Sequence, residues 1–223
     1  MKQDNETITL NQIEHIRYPG GEYLFTPYCG GTPEQVYEFL WFLSHEVELR
    51  NKWWNVKAGD MVFDIGCRLG SWTLPALAAG GTVWAIDPCR DSFFPLATQL
   101  FLNQFDTRCR HVAIMLGSET KVADFYATEN AGAGEGVPEQ RLMYTLDCLA
   151  QTCSKIDWIK IDVEGGELDV LQGAVQSLIK FSPTVIVEYH DHLGASSDKV
   201  RELMSSLGYA EELDGVHGLW LKA

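Results

Sequence analysis

The chain has 223 residues, 46% hydrophobic and 22% charged, which suits one globular domain large enough to bury a core. A net charge of −14 argues against nucleic-acid backbones and anionic membranes as partners and leaves a small molecule or glycan open. Residues 1–10 are polar and acidic, unlike a signal peptide. The longest uncharged run, 69–86, is broken by Pro75 and Gly80-Gly81 and does not read as a membrane span. A cytoplasmic protein is expected. The six cysteines contain no Cys-x-x-Cys pair, so reduced thiols are expected.

Residues 7–26 read as two or three short strands turning at Pro19-Gly20-Gly21, and 27–32 as a loop. Thr32-Pro33 matches a helix cap followed by proline at the first helical position. Val36, Phe39, Leu40, Leu43 and Val47 then keep a helical period to about Arg50. Residues 1–59 are expected to form a lid or substrate-side extension, and 60–223 the main domain.

Met61, Val62, Phe63 and Ile65 form a short apolar run that reads as a buried strand. A helix is predicted from near Trp72, with Pro75 in its first turn, to Gly80-Gly81. Strand 82–86 ends in Asp87-Pro88. Helix 91–103 follows, with Pro95 in its first turn and Phe94, Leu96, Ala97, Leu100 and Phe101 as its apolar set. Residues 112–115 read as a third strand and 122–128 as a further strand or hairpin arm. The low-complexity stretch 129–139 reads as a loop, either plain surface or substrate-facing. Thr145 is expected to cap a short helix through Leu149.

Residues 156–163 read as the fourth core strand. After Gly165-Gly166, one helix carries Leu168, Val170, Leu171, Ala174, Val175, Leu178 and Ile179. Strand 184–188, helix 197–207 and a hairpin of 209–213 with 216–221, turning at Asp214-Gly215, complete the chain. Alternating strands and helices imply an α/β, Rossmann-like, doubly wound sheet, mostly parallel, seven-stranded, with an antiparallel C-terminal pair.

In such sheets ligands bind beyond the carboxyl ends of the strands. The first strand ends in Asp64-x-Gly66-x-x-x-Gly70, which is not the Gly-x-Gly-x-x-Gly of dinucleotide folds. A carboxylate there repels phosphate and suits an ammonium, which points to the amino-acid end of S-adenosylmethionine. Cys67, Arg68, Ser71 and Trp72 share that turn. Asp87, beside Pro88, can accept both ribose hydroxyls, and Ala113 to Met115 can bound an adenine face. The fourth strand delivers Asp162 and Glu164, the fifth Glu188 and His190. Blander roles also stand: Asp64 as a helix cap, Asp87-Pro88 as turn chemistry, and His190-Asp191-His192 as a solvated loop. No spacing among these matches a known ligand pattern, so no metal is expected. Lys160, charged within a buried strand, falls on the same side as Asp162 and is expected to pair with it.

These residues resemble the FkbM family of S-adenosylmethionine-dependent methyltransferases. The resemblance is carried by Val62-Phe63-Asp64-Ile65-Gly66 with Gly70, by Ala85-Ile86-Asp87-Pro88 and by Thr145-Leu146-Asp147. It is carried further by Lys160-Ile161-Asp162-Val163-Glu164-Gly165 with Glu167 and Leu171 to Gly173, and by the run from Pro183 to Glu188-Tyr189-His190. It implies a class I methyltransferase fold and methylation of a hydroxyl oxygen on a polyketide, sugar or other small molecule. It further implies that Asp64, Gly66 and Gly70 hold the methionine end and Asp87 the ribose. Asp162 and Glu164 would lie beside the methyl group, with Glu188 across the pocket. The chain departs from the family with Cys67-Arg68 in place of Ala-Asn and Asp87 in place of Glu; Arg68 either binds the cofactor carboxylate or points outward. Residues 1–59 match nothing in the family, and substrate choice is expected there and in 129–139.

An attacking hydroxyl must lose a proton, and Glu164, Glu188 and His190 are the candidate bases. A binding module without catalysis is the competing class. Transfer to nitrogen or carbon is a further alternative, since fold does not fix the acceptor; nitrogen is disfavoured because Asp162-Val163-Glu164-Gly165 stands where an Asn/Asp-Pro-Pro-Tyr motif would. The oligomeric state is left open.

Overall fold

Residues 14–18, 21–25, 46–126 and 138–223 are described in the computed structural model. Strands β1 (Glu14–Tyr18) and β2 (Gly21–Phe25) form an antiparallel hairpin, and α1 spans Val47–Trp53. Then come β3 (Met61–Ile65), α2 (Thr73–Ala78), β4 (Thr82–Ile86), α3 (Arg90–Leu102) and β5 (Cys109–Val112). Next are β6 (Met115–Leu116), β7 (Lys121–Phe125), β8 (Glu139–Tyr144) and α4 (Leu146–Leu149). The last part comprises β9 (Trp158–Ile161), α5 (Glu167–Gln172), α6 (Val175–Phe181), β10 (Thr184–Glu188), α7 (Ser197–Ser206), β11 (Tyr209–Asp214) and β12 (His217–Lys222).

The main sheet has seven strands in the order β11-β12-β10-β9-β3-β4-β5. β10, β9, β3, β4 and β5 are parallel, while β12 runs antiparallel to β10 and β11 to β12. The expected Rossmann-like, doubly wound architecture is therefore present. Inner strands β3 and β9 are apolar on both faces apart from the opposed Asp64 and Lys160, because both faces are covered. On one face Phe63, Ile65, Ile159, Ile161 and Val187 pack with Val170, Leu171 and Leu178. On the other, Val62, Val83, Ala85 and Ile186 pack with Leu74, Leu77, Leu96 and three tryptophans, Trp53, Trp54 and Trp72. The chain steps from β3 to β4 to β5 in one direction and places β9 and β10 on β3's other side. The switch point thus lies between β3 and β9.

Several expectations need correcting. The third core strand ends at Val112 rather than running over 112–115; residues 115–116 leave for a second sheet, β6-β8-β7. Strand β8 was not foreseen. Its buried face carries Arg141 and Met143 while Leu142 is exposed, an inverted pattern that polarity alone misreads. The long helix after Gly166 is two helices. Gly173 lies against the backbone of Gly117, where a Cβ would stand 2.0 Å from the carbonyl oxygen. The Asp147 carboxylate then accepts N–H bonds from Gln176 (3.0 Å) and Ser177 (2.7 Å), starting α6 afresh. Pro95 sits in the second turn of α3, and Phe94 and Phe101 are exposed; Leu96 and Leu100 make the buried side. The C-terminal hairpin turns at Gly215-Val216, since Asp214 pairs with His217.

Thr145 caps α4 as expected, its hydroxyl accepting the N–H of Cys148 at 3.1 Å. Most of the helix predicted over 32–50 and most of the loop over 129–139 lie outside the described residues. Among the described residues five cysteines are free thiols, and no helix is long and apolar enough to cross a membrane.

Candidate active site

At the switch point the chain leaves β3 through Gly66, whose φ of +78° suits glycine and whose N–H donates to Ile86 O at 2.8 Å. A Cβ on Gly66 would lie 1.6 Å from the carbonyl oxygen of Asp162, so the turns after β3 and β9 touch backbone to backbone. Gly70 closes the turn by donating to Cys67 O at 2.7 Å. Asp64 is fully buried behind it. Its Oδ2 accepts the Thr73 hydroxyl at 2.5 Å, while Oδ1 has no hydrogen-bond partner among the described residues. Asp64 does not cap α2, whose first turn receives no side-chain cap. Burial raises its carboxyl pKa, opposed by the Lys160 charge.

Lys160 stands opposite Asp64 in the β3–β9 register, and its Nζ lies 2.8 Å from Asp162 Oδ2. The expected Lys160–Asp162 pair is present. Burial works against the ammonium, but Asp162, Asp64, Glu46 and Glu188 together outweigh it and hold Lys160 charged.

Asp87 ends β4 and ties two turns together: Oδ2 accepts the N–H of Arg68 at 2.8 Å and Oδ1 that of Cys89 at 2.7 Å. The turn-chemistry reading of Asp87 is thus realised. Each oxygen keeps a further lone pair for a ligand hydroxyl. Burial raises the Asp87 pKa, opposed by the two N–H donors. Arg68 adopts a φ of +41° in the turn. Cys67 is buried, which pushes its thiol pKa well up and leaves it neutral. Ser71 is half-buried beside Trp72, whose buried indole N–H donates to Glu46 Oε2 at 2.8 Å. Pro88 O accepts from Arg141 Nε at 3.2 Å, a contact brought by the unforeseen β8. Ala113 is exposed just beyond β5.

Beyond β9 and β10 the three candidate bases come together. His190 Nε2 faces Glu164 Oε2 at 3.4 Å, Asp162 Oδ1 at 3.8 Å and Glu188 Oε1 at 3.9 Å. Its Nδ1 is 2.8 Å from Glu167 Oε1. Burial would lower the His190 pKa, but the Glu167 bond and the nearby carboxylates push it to about 9. The other Glu188 oxygen, Oε2, lies 3.3 Å from His217 Nε2, off the hydrogen-bond direction. Burial disfavours the Glu188 charge, yet His217, Lys160 and His190 hold the carboxyl below its usual range. Glu164, at a left-handed φ of +54°, has its pKa raised chiefly by burial.

The rings of His190 and His192 have centroids 5.7 Å apart, but Asp191 does not join them. Asp191 turns away to bind Ser197, accepting its N–H and its hydroxyl at 2.7 Å each. Sequence reasoning missed Glu46 and His217 and gave Glu167 no role. Glu167 stood inside the quoted motif. His217 faces Glu188 only through the β10–β12 register, which periodicity does not fix.

Residues 64–210 match the methyltransferase FkbM domain. The chain belongs to the FkbM methyltransferase family. The FkbM methyltransferase of Methylobacillus flagellatus KT shares the fold, with a TM-score of 0.56 at 18% identity over 86% of this chain and 55% of that one. This FkbM-family chain therefore spans little more than half the length of that structure. A precorrin-6y C5,15-methyltransferase from Geobacter metallireducens GS-15 gives a TM-score of 0.50 at 13% identity, covering 92% and 97% of the two chains. No curated protein matches the sequence.

The strand-end residues of this FkbM-family chain fit S-adenosylmethionine. Asp64 Oδ1 is a sealed acceptor with no donor among the described residues, suited to an ammonium or a water that carries its hydrogen bond. Asp87 retains acceptor capacity on both oxygens, and exposed Ala113 offers a small apolar surface.

Proposed function

We propose that the chain is an S-adenosylmethionine-dependent O-methyltransferase acting on a hydroxyl of a small molecule or sugar. One observation carries this reading. Asp64 with Gly66, Asp87, Ala113, Asp162 with Glu164, and Glu188 with His190 lie at or just beyond the carboxyl ends of five neighbouring parallel strands, in a chain of a methyltransferase family. In this reading the turn 66–72, with Cys67, Arg68, Ser71 and Trp72, holds the amino-acid end, Asp87 with Pro88 the ribose, and Ala113 the adenine. Asp162 lies beside the methyl group. Bound S-adenosylmethionine supplies a methyl carbon on a positively charged sulfur, a good leaving group, so the protein's main contribution is alignment.

The proton acceptor is then the remaining choice. His190, with a pKa near 9, is already protonated at neutral pH in the chain alone, and Glu188 is too well stabilised as an anion to be a strong base. Glu164 differs from both. Its side chain is 61% exposed at the mouth of the cluster, and its pKa is shifted upward. We assign it as the base that takes the hydroxyl proton. The surrounding carboxylates disfavour an anionic acceptor and favour a neutral or cationic one. Residues 1–59 act as a substrate-side extension in this reading.

Calorimetric titration of S-adenosylmethionine and S-adenosylhomocysteine into the chain, Asp64→Ala and Asp87→Ala tests it. Binding that weakens at least tenfold in both variants, with methylation found on screening hydroxylated acceptors, is expected. If neither ligand binds the folded wild type, the methyltransferase reading fails.

A further inference from the structure

Beyond β9 and β10, Asp162, Glu188 and His190 each offer one ligand atom, and these atoms lie within 4.8 Å of one another. Asp162 Oδ1 and Glu188 Oε1 both face His190 Nε2, and none of the three makes a hydrogen bond among the described residues. We propose that they bind a divalent cation. Two ligands each about 2.1 Å from one ion can stand at most ~4.2 Å apart. His190 Nε2 is 3.8 Å from Asp162 Oδ1 and 3.9 Å from Glu188 Oε1, inside that limit.

The arrangement around the histidine separates this cluster from an ordinary acidic patch. The His190 side chain is only 7% exposed, and the Glu167 side chain that holds its Nδ1 at 2.8 Å is 2% exposed. A buried carboxylate on one ring nitrogen, with the other nitrogen presented to anionic ligands, is how metal-binding histidines are oriented. Among the described residues Nε2 makes no hydrogen bond; Glu164 Oε2, its nearest acceptor there at 3.4 Å, lies off the required direction. Each carboxylate also keeps its other oxygen occupied. Asp162 Oδ2 pairs with Lys160, and Glu188 Oε2 faces His217.

Charge agrees with geometry. Asp162, Glu164, Glu188 and Glu167 surround His190 with carboxylates that outnumber the Lys160 ammonium, so the cluster is anionic toward a doubly positive ion, which would take the place of the Nε2 proton. A set of one imidazole and two carboxylates suits Mn²⁺ or Zn²⁺, whereas Ca²⁺ and Mg²⁺ prefer all-oxygen shells. A second grouping, Glu46, Glu188 and His217, is less suited, because Glu46 Oε2 already receives Trp72 and Arg50. Linear spacing had suggested no metal, since the ligands come from two strand ends brought together only by the β9–β10 pairing. The site stands on its own geometry; only its use, holding a substrate hydroxyl, rests on the methyltransferase reading.

The test is titration of chelator-treated full chain with Mn²⁺, followed by electron paramagnetic resonance. One tight Mn²⁺ per chain with ¹⁴N coupling from a coordinated imidazole is expected. Glu188→Gln and His190→Gln should weaken binding at least tenfold, and Glu167→Gln about 10–100-fold, with circular dichroism confirming folding. Absence of Mn²⁺ and Zn²⁺ binding to the wild type, or bound Mn²⁺ without ¹⁴N coupling, would overturn the site. The wild-type spectrum decides even if a variant fails to fold. Calorimetry with S-adenosylhomocysteine, with and without Mn²⁺, separates the two readings: cofactor binding without cation binding sinks only the cation site, and the reverse sinks only the methyltransferase.

Discussion

Gly66 and Asp162 touch across the ends of neighbouring strands, so closely that a Cβ on the glycine would fall 1.6 Å from the Asp162 carbonyl oxygen. The contact locks the turn after β3 beneath the turn that presents Asp162 and Glu164. Gly66→Ala must move backbone and also place a side chain at a φ of +78°. A loss of at least ~3 kcal/mol in urea unfolding is expected, with cofactor affinity lost in any folded fraction. Wild-type stability in this variant would show that the two turns separate easily.

Lys160 is 3% exposed and is the cation shared by Asp64, Asp162, Glu46 and Glu188. Removing it takes the nearest cation from Asp162 and leaves the buried Asp64 without its opposing charge. Lys160→Met should cost about 3–5 kcal/mol by denaturant unfolding. The double variant Lys160→Met with Asp162→Asn should cost less than the two single losses summed, because each removes the other's partner. Additive losses would mean that the 2.8 Å pair carries no coupling.

Glu164 differs from its neighbours in being reachable, and its assignment as base makes a kinetic prediction. Glu164→Gln should lower kcat by about 10²–10⁴-fold once an acceptor is known, while S-adenosylhomocysteine affinity changes less than about threefold. Full turnover in this variant would remove Glu164 from the mechanism and return attention to Glu188.

How much of this was legible depends on whether a feature is local. Strands 82–86 and 184–188 were readable to the residue, because a short apolar run bounded by Asp87 or Pro183 has few other interpretations. The Lys160–Asp162 pair followed from period two alone. Strand β8 was hidden because Arg141 occupies its buried face, reaching Pro88 O and Glu139, and a buried arginine breaks binary patterning. The break at Gly173 depends on Gly117, far away in sequence. His217 and Glu46 joined the acidic cluster through tertiary contacts to which neither residue's neighbours point. Positions at a strand end were foreseeable; those brought in by register were not.

His111 offers a test of electrostatics away from the acidic cluster. Its ring stacks on Phe93, with centroids 4.2 Å apart and planes at 15°, and its Nδ1 is buried with no hydrogen-bond partner among the described residues. Burial lowers its pKa to about 4 from the usual 6.5 of a free imidazole. Between those values the unfolded chain binds a proton that the folded chain refuses, so this group's contribution falls as pH falls and is constant above about 6.5. A full shift corresponds to ~3 kcal/mol, and partial exposure reduces the expected effect to about 1–2 kcal/mol. Urea unfolding of wild type and His111→Phe at pH 7.5 and pH 4.5 isolates it, since Asp64, Asp87 and Glu46 titrate alike in both proteins. The variant should gain about 1–2 kcal/mol relative to wild type on acidification. A stability difference that stays constant with pH would mean that His111 accepts its proton in place, with the stacked ring opening to water.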